Sequence, residues 1–300
     1  MTRPSASRLG LIALGVGAAL ISLSPICVRL SETGPISTAV YRLGLALPVL
    51  ALWLALEQRT TAAKPTPRPK HAAPWLVLAG LFFAGDLASW HWSVMLTSVA
   101  NSTLFANTAP IWVTIAAALF LNERIRLGFA IGLAVALSGA ALLMGLSVSE
   151  SQDHLAGDLL GLLTGVFYAC YLITLKRLRG RYSTATVMVW SALPALLPLG
   201  LLAAASGERF FPVTLAGWGV LLLLALVVHA GGQSLIGYAF AHLPASFSAV
   251  ALLLQPLLAA LWGWLIVHES LGPLQAAGGM IVLIGIALAH RYSVIPKVAV

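Results

Sequence analysis

The chain has 300 residues, of which 60% are hydrophobic and only 9% charged, with Lys and Arg outnumbering Asp and Glu by 17 to 9 for a net charge of +8, and its mean hydropathy is +0.95. So few charges cannot cover a soluble domain, in which about a quarter of residues are ordinarily charged, so an aqueous globular fold is excluded and lipid must be most of the solvent. The basic excess is scattered over short loops without a basic fold motif, which excludes nucleic acid as a partner; Cys27 and Cys170 lie in apolar segments and read as packing residues, too few for a disulfide framework.

At the start, Arg3 and Arg8 precede an apolar run in the manner of a secretory signal, but the run from Leu9 to about Arg29 is long enough to span, and no small-x-small cleavage site followed by a polar domain comes after it. A bilayer core of about 30 Å needs about 20 apolar residues of helix. Spans are predicted near residues 9–30, 35–56, 74–96, 100–121 and 127–147, then 156–175, 184–205, 214–240, 245–267 and 272–290. Barrel strands would alternate polarity at half that length, and lipid cannot satisfy open backbone groups, so the expected fold is an all-α membrane protein of ten transmembrane helices. Gly34-Pro35 and Pro244 punctuate the spans. The one long hydrophilic connector, Glu57 to Ala73, carries Pro65, Pro67 and Pro69 and reads as irregular.

Placing the amino terminus in the cytoplasm puts Arg3, Arg8, Arg59, Lys64, Arg68, Lys70, Arg124, Arg126, Lys176, Arg177, Arg179, Arg181, Arg291 and Lys297 inside and leaves outer loops only Arg29 and Arg209. That asymmetry obeys the positive-inside rule. Both termini are therefore expected in the cytoplasm of a bacterial inner membrane, with the acidic stretch Glu150 to Asp158 facing out.

A repeat runs through the chain at a constant offset of 146 residues. Gly15 pairs with Gly161, Ser37-Thr38-Ala39 with Ser183-Thr184-Ala185, and Ala46-Leu47-Pro48 with Ala192-Leu193-Pro194; the register continues through Ser102 and Ser248, Pro110 and Pro256, Glu123 and Glu269, Gly132 and Gly278, Gly139 and Gly285. Two units follow, residues 1–150 and 151–300. Five helices per unit is an odd number, so the second must enter the membrane upside down. Inverted halves can exchange conformations around a site near the midplane, which points to alternating access.

The stretches SVANSTLFANTAPIWVTIAAALFLNER (Ser98 to Arg124) and LPASFSAVALLLQPLLAALWGWLIVHES (Leu243 to Ser270) each set a Ser- and Ala-rich turn before a helix with a central Pro that ends in Glu. They resemble the EamA repeat of the drug/metabolite transporter superfamily, including its YddG-type aromatic amino-acid exporters. Arg42 matches a basic residue often found near the start of the second helix in that family. The resemblance implies inverted five-helix halves, a central cavity lined chiefly by helices 1, 3, 4, 6, 8 and 9, and export of amino acids or other metabolites. One departure concerns coupling: small multidrug-resistance relatives depend on a carboxylate in the first helix, and none stands between Leu9 and Arg29.

Within the spans, polar residues become the candidate substrate site. Pro110 and Pro256 each remove a backbone donor in mid-helix and free a carbonyl near Ala106 and Leu252, beside Asn107 and Gln255; these positions read either as cavity lining and gating or as simple curvature with amides bonding between helices. Asp86 is the one carboxylate deep in a span, so it should face a wet cavity or a partner. His229 is the candidate partner for a proton relay, against the reading of Asp86 in a static interhelical bond. Arg42 can snorkel to the outer surface or turn inward to bind a substrate carboxylate. Trp90 shares a face with Asp86 at i, i+4, whereas His91 and Trp92 point elsewhere. Tyr168, Tyr171, Gln233 and Tyr238 offer apolar walls with polar tips, or ordinary packing. Glu123 and Glu269 end equivalent helices and read as structural anchors or gate contacts, and the small residues Gly132, Gly139, Gly278 and Gly285 as close helix contacts.

An intramembrane enzyme is disfavoured: His268-Glu269 begins like HExxH, but position 272 is Gly272, and no GxSxG turn occurs. A channel would show charged rings or a carbonyl filter. A transporter of a small-molecule substrate, with no cofactor and with proton coupling open, is the expectation; carriers of drugs, nucleotide sugars or vitamins are the alternative substrate classes.

Overall fold

A computed structural model describes residues 4–60, 72–97, 99–144, 155–267 and 272–293. Lys64, Arg68, Lys70 and the prolines of the long connector, the acidic residues before Leu155, and Glu269 lie outside the described residues. The described residues contain ten helices long and apolar enough to cross a membrane: α1 (Ser7–Leu30), α2 (Pro35–Arg59), α3 (Ala73–Leu96), α4 (Ser102–Phe120), α5 (Leu127–Met144), α6 (Leu155–Arg179), α7 (Thr184–Ser206), α8 (Leu215–His242), α9 (Ala245–Ile266) and α10 (Pro273–Tyr292). Among those residues there is no strand. The protein is an all-α, multi-pass membrane protein, as the hydropathy predicts. Its outer surface carries apolar side chains of a kind that lipid accommodates and water does not, such as Leu52 and Leu56 on α2, Leu197 and Leu201 on α7, and Met280 and Ile284 on α10.

Several helices are interrupted. α1 breaks between Ile21 and Ser24 just before Pro25, α2 between Gly44 and Leu47 before Pro48, α4 between Ala106 and Ala109 before Pro110, and α9 between Ala251 and Leu254 before Pro256. Each Pro lacks the N–H that the preceding turn needs and crowds that turn's carbonyl, so the helix loosens one turn upstream. At the α4 break the chain supplies replacements: Asn107 Nδ2 donates to the Thr103 carbonyl at 2.7 Å and Thr108 Oγ1 to the Phe105 carbonyl at 2.7 Å. Proline alone does not dictate a break, since α7 stays continuous through Pro194 and Pro198. α8 is altered differently, with a π-helical segment over Leu223–Gln233.

Small residues set the close contacts. α5 and α10 pack so tightly that a β-carbon on Gly285 would lie 2.7 Å from Ala136 Cβ, and one on Gly132 would lie 3.0 Å from the Ala289 Cα. These are the glycines that the repeat singles out.

Carboxylates join helix ends that lie far apart in the chain. On one face, Glu32 accepts from the N–H groups of Val213 (2.7 Å) and Thr214 (2.9 Å) and from Thr214 Oγ1 (2.5 Å) at the start of α8, while Glu208 accepts from the Ser37 N–H at the start of α2. These bonds hold the Glu32 carboxyl below the usual carboxylate range, the Thr214 hydroxyl contributing most. On the opposite face, Ser183, the N-cap of α7, donates to Glu57 at the end of α2 at 2.7 Å. There too Glu123, beyond α4, accepts from the Ala245 N–H (2.6 Å), the Ser246 N–H (3.1 Å) and Ser246 Oγ (2.5 Å) at the start of α9. Glu32, Glu208 and Glu123 meet backbone donors that a helix start leaves unpaired, and all four carboxylates sit at the positive end of a helix dipole.

Candidate functional site: a central polar cavity

The breaks in α1, α4 and α9 converge on one cavity of about 150 Å³, whose wall includes Ser22, Ser24 and Pro25, Ala106 and Asn107, and Gln255 and Pro256. Broken helices bring polar groups to membrane depth only where they line a cavity or meet protein; the breaks in α1, α4 and α9 line this cavity, whereas that in α2 does not. α3 supplies Phe83, Asp86, Leu87 and Trp90; α6 supplies Thr164 and Tyr168, α8 supplies Gln233, and α2 supplies Arg42.

Arg42 is turned inward and only 6% exposed. Its Nη1 donates to Ser24 Oγ at 3.1 Å, and its guanidinium carbon lies 5.9 Å from the centroid of the Phe83 ring. The snorkelling reading is thereby corrected: the α1 break presents Ser24 as an acceptor and α3 presents an aromatic face, and both hold the guanidinium at the cavity. Asp86 lines the same cavity and lies within the electrostatic reach of Arg42. The two make no direct ion pair. Trp90 shares the cavity with Asp86, as i, i+4 spacing requires.

Behind this front row stands an aromatic layer. Phe83 contacts Tyr171 at 4.7 Å between ring centroids and stacks on His229 at 5.6 Å, and Tyr168 stacks on Tyr171 at 6.2 Å. Tyr171 is 1% exposed and its hydroxyl accepts from Gln233 Nε2 at 3.2 Å. It supports the cavity wall and does not form it. His229 likewise lies outside the lining, its ring engaged by Phe83, so the expected pairing of Asp86 with His229 is not made. Tyr238 is also absent from the lining: five residues beyond Gln233 on a helix it points well away from that side chain, and it packs on His242 at 4.3 Å. His91 faces away from the cavity, with Nδ1 2.6 Å from the Leu87 carbonyl.

Trp90, with Pro25 and Ala259, also bounds a larger vestibule of about 670 Å³ that extends past His91 and Met95 to Arg29, Thr33 and Pro35. The cavity is thus approached from the face of the 31–34 loop. Toward the other face, among the described residues, lies a pocket of about 30 Å³ between Asn107, Pro110, Tyr168 and Gln255. Beyond it the Glu123 bonds to α9 and Lys176 Nζ, which donates to the carbonyls of Phe240 (2.7 Å) and Leu243 (2.6 Å), close the bundle.

Sequence reasoning misses Ser24, Phe83, Thr103 and Thr164 as wall residues, and Trp262, whose Nε1 donates to Ser22 Oγ at 2.9 Å and ties α9 to the α1 break. Pro25 is the available signal for Ser22 and Ser24, and i, i+3 spacing from Asp86 is the signal for Phe83.

Ten apolar helices around a central cavity of mixed polar and apolar lining define a polytopic membrane protein. The profile of the EamA-like transporter family matches residues 8–145 and again 155–291, and the chain belongs to that family. It is 27% identical over 248 residues to the pseudopaline exporter CntI of Pseudomonas aeruginosa, covering 82% of this chain and 83% of that protein. It is 29% identical over 204 residues to a probable terminal-alkyne amino-acid exporter of Streptantibioticus cattleyicolor, covering 67% of each. To the threonine/homoserine exporter RhtA of Escherichia coli it is 27% identical over 202 residues, 67% of this chain and 65% of that one. A solved crystal structure shares the fold at a TM-score of 0.77 and 18% identity, covering 97% of this chain and 99% of the other.

Proposed function

We propose that this protein exports small amphipathic metabolites, amino acids including aromatic ones foremost, across a bacterial inner membrane by alternating access. The observation that carries the reading is the central cavity, polar on Ser24, Arg42, Asp86, Asn107 and Gln255, apolar on Phe83, Leu87 and Trp90, and reached through one vestibule. Such a site suits a solute with a charged head and an apolar body. Export accords with relatives that are themselves named exporters of pseudopaline, of an amino acid and of threonine and homoserine. Residues 1–150 and 151–300 act as two inverted halves, and the positive-inside rule places both termini, Glu57 and Glu123 in the cytoplasm and the vestibule on the outer side. No cofactor and no catalytic group enters this reading.

Counterflow of a panel of labelled amino acids and other metabolites into proteoliposomes, with and without a pH gradient, tests it. Exchange of at least one solute is expected; a panel in which none exchanges would contradict carriage. Asp86 is the candidate coupling group, so Asp86→Asn should abolish any component driven by the pH gradient, and a proton dependence left unchanged would exclude it.

A further inference from the structure

We infer that the central cavity reads the head of an α-amino acid as a zwitterion, with Arg42 receiving its carboxylate and Asp86 its ammonium, while the side chain lies along Phe83, Leu87 and Trp90. The inference rests on the proposed function and narrows its substrate to molecules carrying both charges on a compact head. A guanidinium offers five donors in a planar fork. That of Arg42 spends one on a neutral serine, its Nε has no partner, and the side chain is almost wholly buried. Serine does not neutralise a cation held at membrane depth.

Asp86 presents the complementary deficit. It lines the same cavity, accepts no hydrogen bond among the described residues, and feels the Arg42 charge without touching it. A guanidinium and a carboxyl group that share a small cavity and do not meet lack a dipolar third member, whose ammonium would hold the carboxyl ionised. A simple anion would satisfy Arg42 and leave Asp86 without a partner; a simple amine would do the reverse. Discrimination then arises by difference, since each analogue with one charge removed leaves one buried group unpaired. The Phe83 ring lies within cation–π reach of the guanidinium, 5.9 Å from its central carbon, and Trp90 stands where the substrate side chain would pass toward the vestibule.

The test is counterflow by the native protein of labelled L-phenylalanine and L-threonine, with competition by the parent amino acid, its amide, which lacks the carboxylate, and its N-acetyl derivative, which lacks the ammonium. Exchange of either amino acid is expected, with the amide and the N-acetyl derivative each competing about tenfold or more less well than the parent. Competition by all three at equal strength would overturn the zwitterion clamp and leave carriage intact. Exchange of other metabolites without either amino acid would also overturn it. Two variants separate the charges: Arg42→Gln should erase discrimination against the amide only, and Asp86→Asn discrimination against the N-acetyl compound only. If a variant fails to reconstitute, the analogue series on the native protein decides alone.

Discussion

Arg42 and Asp86 are placed by different physics, and that difference explains how much of the site is legible in the chain. Asp86 with Trp90 can be read from one helix, because i, i+4 spacing puts both on one face and a deep carboxylate must find water or a partner. The direction of Arg42 cannot, since it depends on Ser24 beyond a break in another helix and on the ring of Phe83. The places of His229 and Tyr238 outside the cavity lining are not legible for the same reason, since they depend on the packing of their rings against Phe83 and His242. Trp90 borders both the cavity and the vestibule, so Trp90→Ala should widen the passage. Counterflow competition should then shift in favour of bulkier side chains, by several fold, with the native preference for the charged head retained; an unchanged size preference would remove Trp90 from the passage.

At the scale of elements, the bundle is held by carboxylates at helix starts and opened by prolines at mid-depth. Charge-assisted hydrogen bonds are worth about 1.5 to 3 kcal/mol each, and Glu123 makes bonds to two backbone N–H groups and one hydroxyl at the start of α9. Glu123→Gln should lower the thermal unfolding midpoint in detergent and raise the reactivity of a cysteine placed at Ser246. Unaltered stability and reactivity would mean that this contact neither anchors nor gates. Glu32 forms the corresponding tie on the vestibule face, and its carboxyl is held below the ordinary value by the Thr214 hydroxyl and the Thr214 and Val213 N–H groups. A group whose folded value is depressed stabilises fully above its unfolded value, about 4.3 for Glu, and loses that contribution as pH falls through the folded value. As pH falls below about 4.3, the native protein should therefore lose stability more steeply than Glu32→Gln, a comparison readable from unfolding midpoints. The ten spans are legible because lipid forces apolar runs of fixed length. The breaks are only half legible, as Pro25, Pro48, Pro110 and Pro256 interrupt their helices and Pro194 and Pro198 do not.

Across the whole molecule, the repeat survives best where function would use it. α4 and α9 break at equivalent places and bring Asn107 and Gln255 to the same cavity, and the paired glycines of α5 and α10 lie against each other's helices. The other pairs have diverged: α1 is broken and α6 is not, α2 is broken and α7 is not, and α8 holds a π-helical segment while α3 is regular. A constant offset reveals duplication but not these departures, since each turns on local packing. The central claim is that one cavity is exposed in turn to both faces, and it can be put to a direct measurement. With Cys27 and Cys170 replaced by Ser, a single cysteine at Thr164 in the cavity wall would be challenged with a membrane-impermeant thiol reagent, applied from either side of oriented vesicles. Alternating access predicts modification from the vestibule side in the absence of substrate and from both sides when substrate is exchanging; modification from one side only, whatever solute is present, would contradict it.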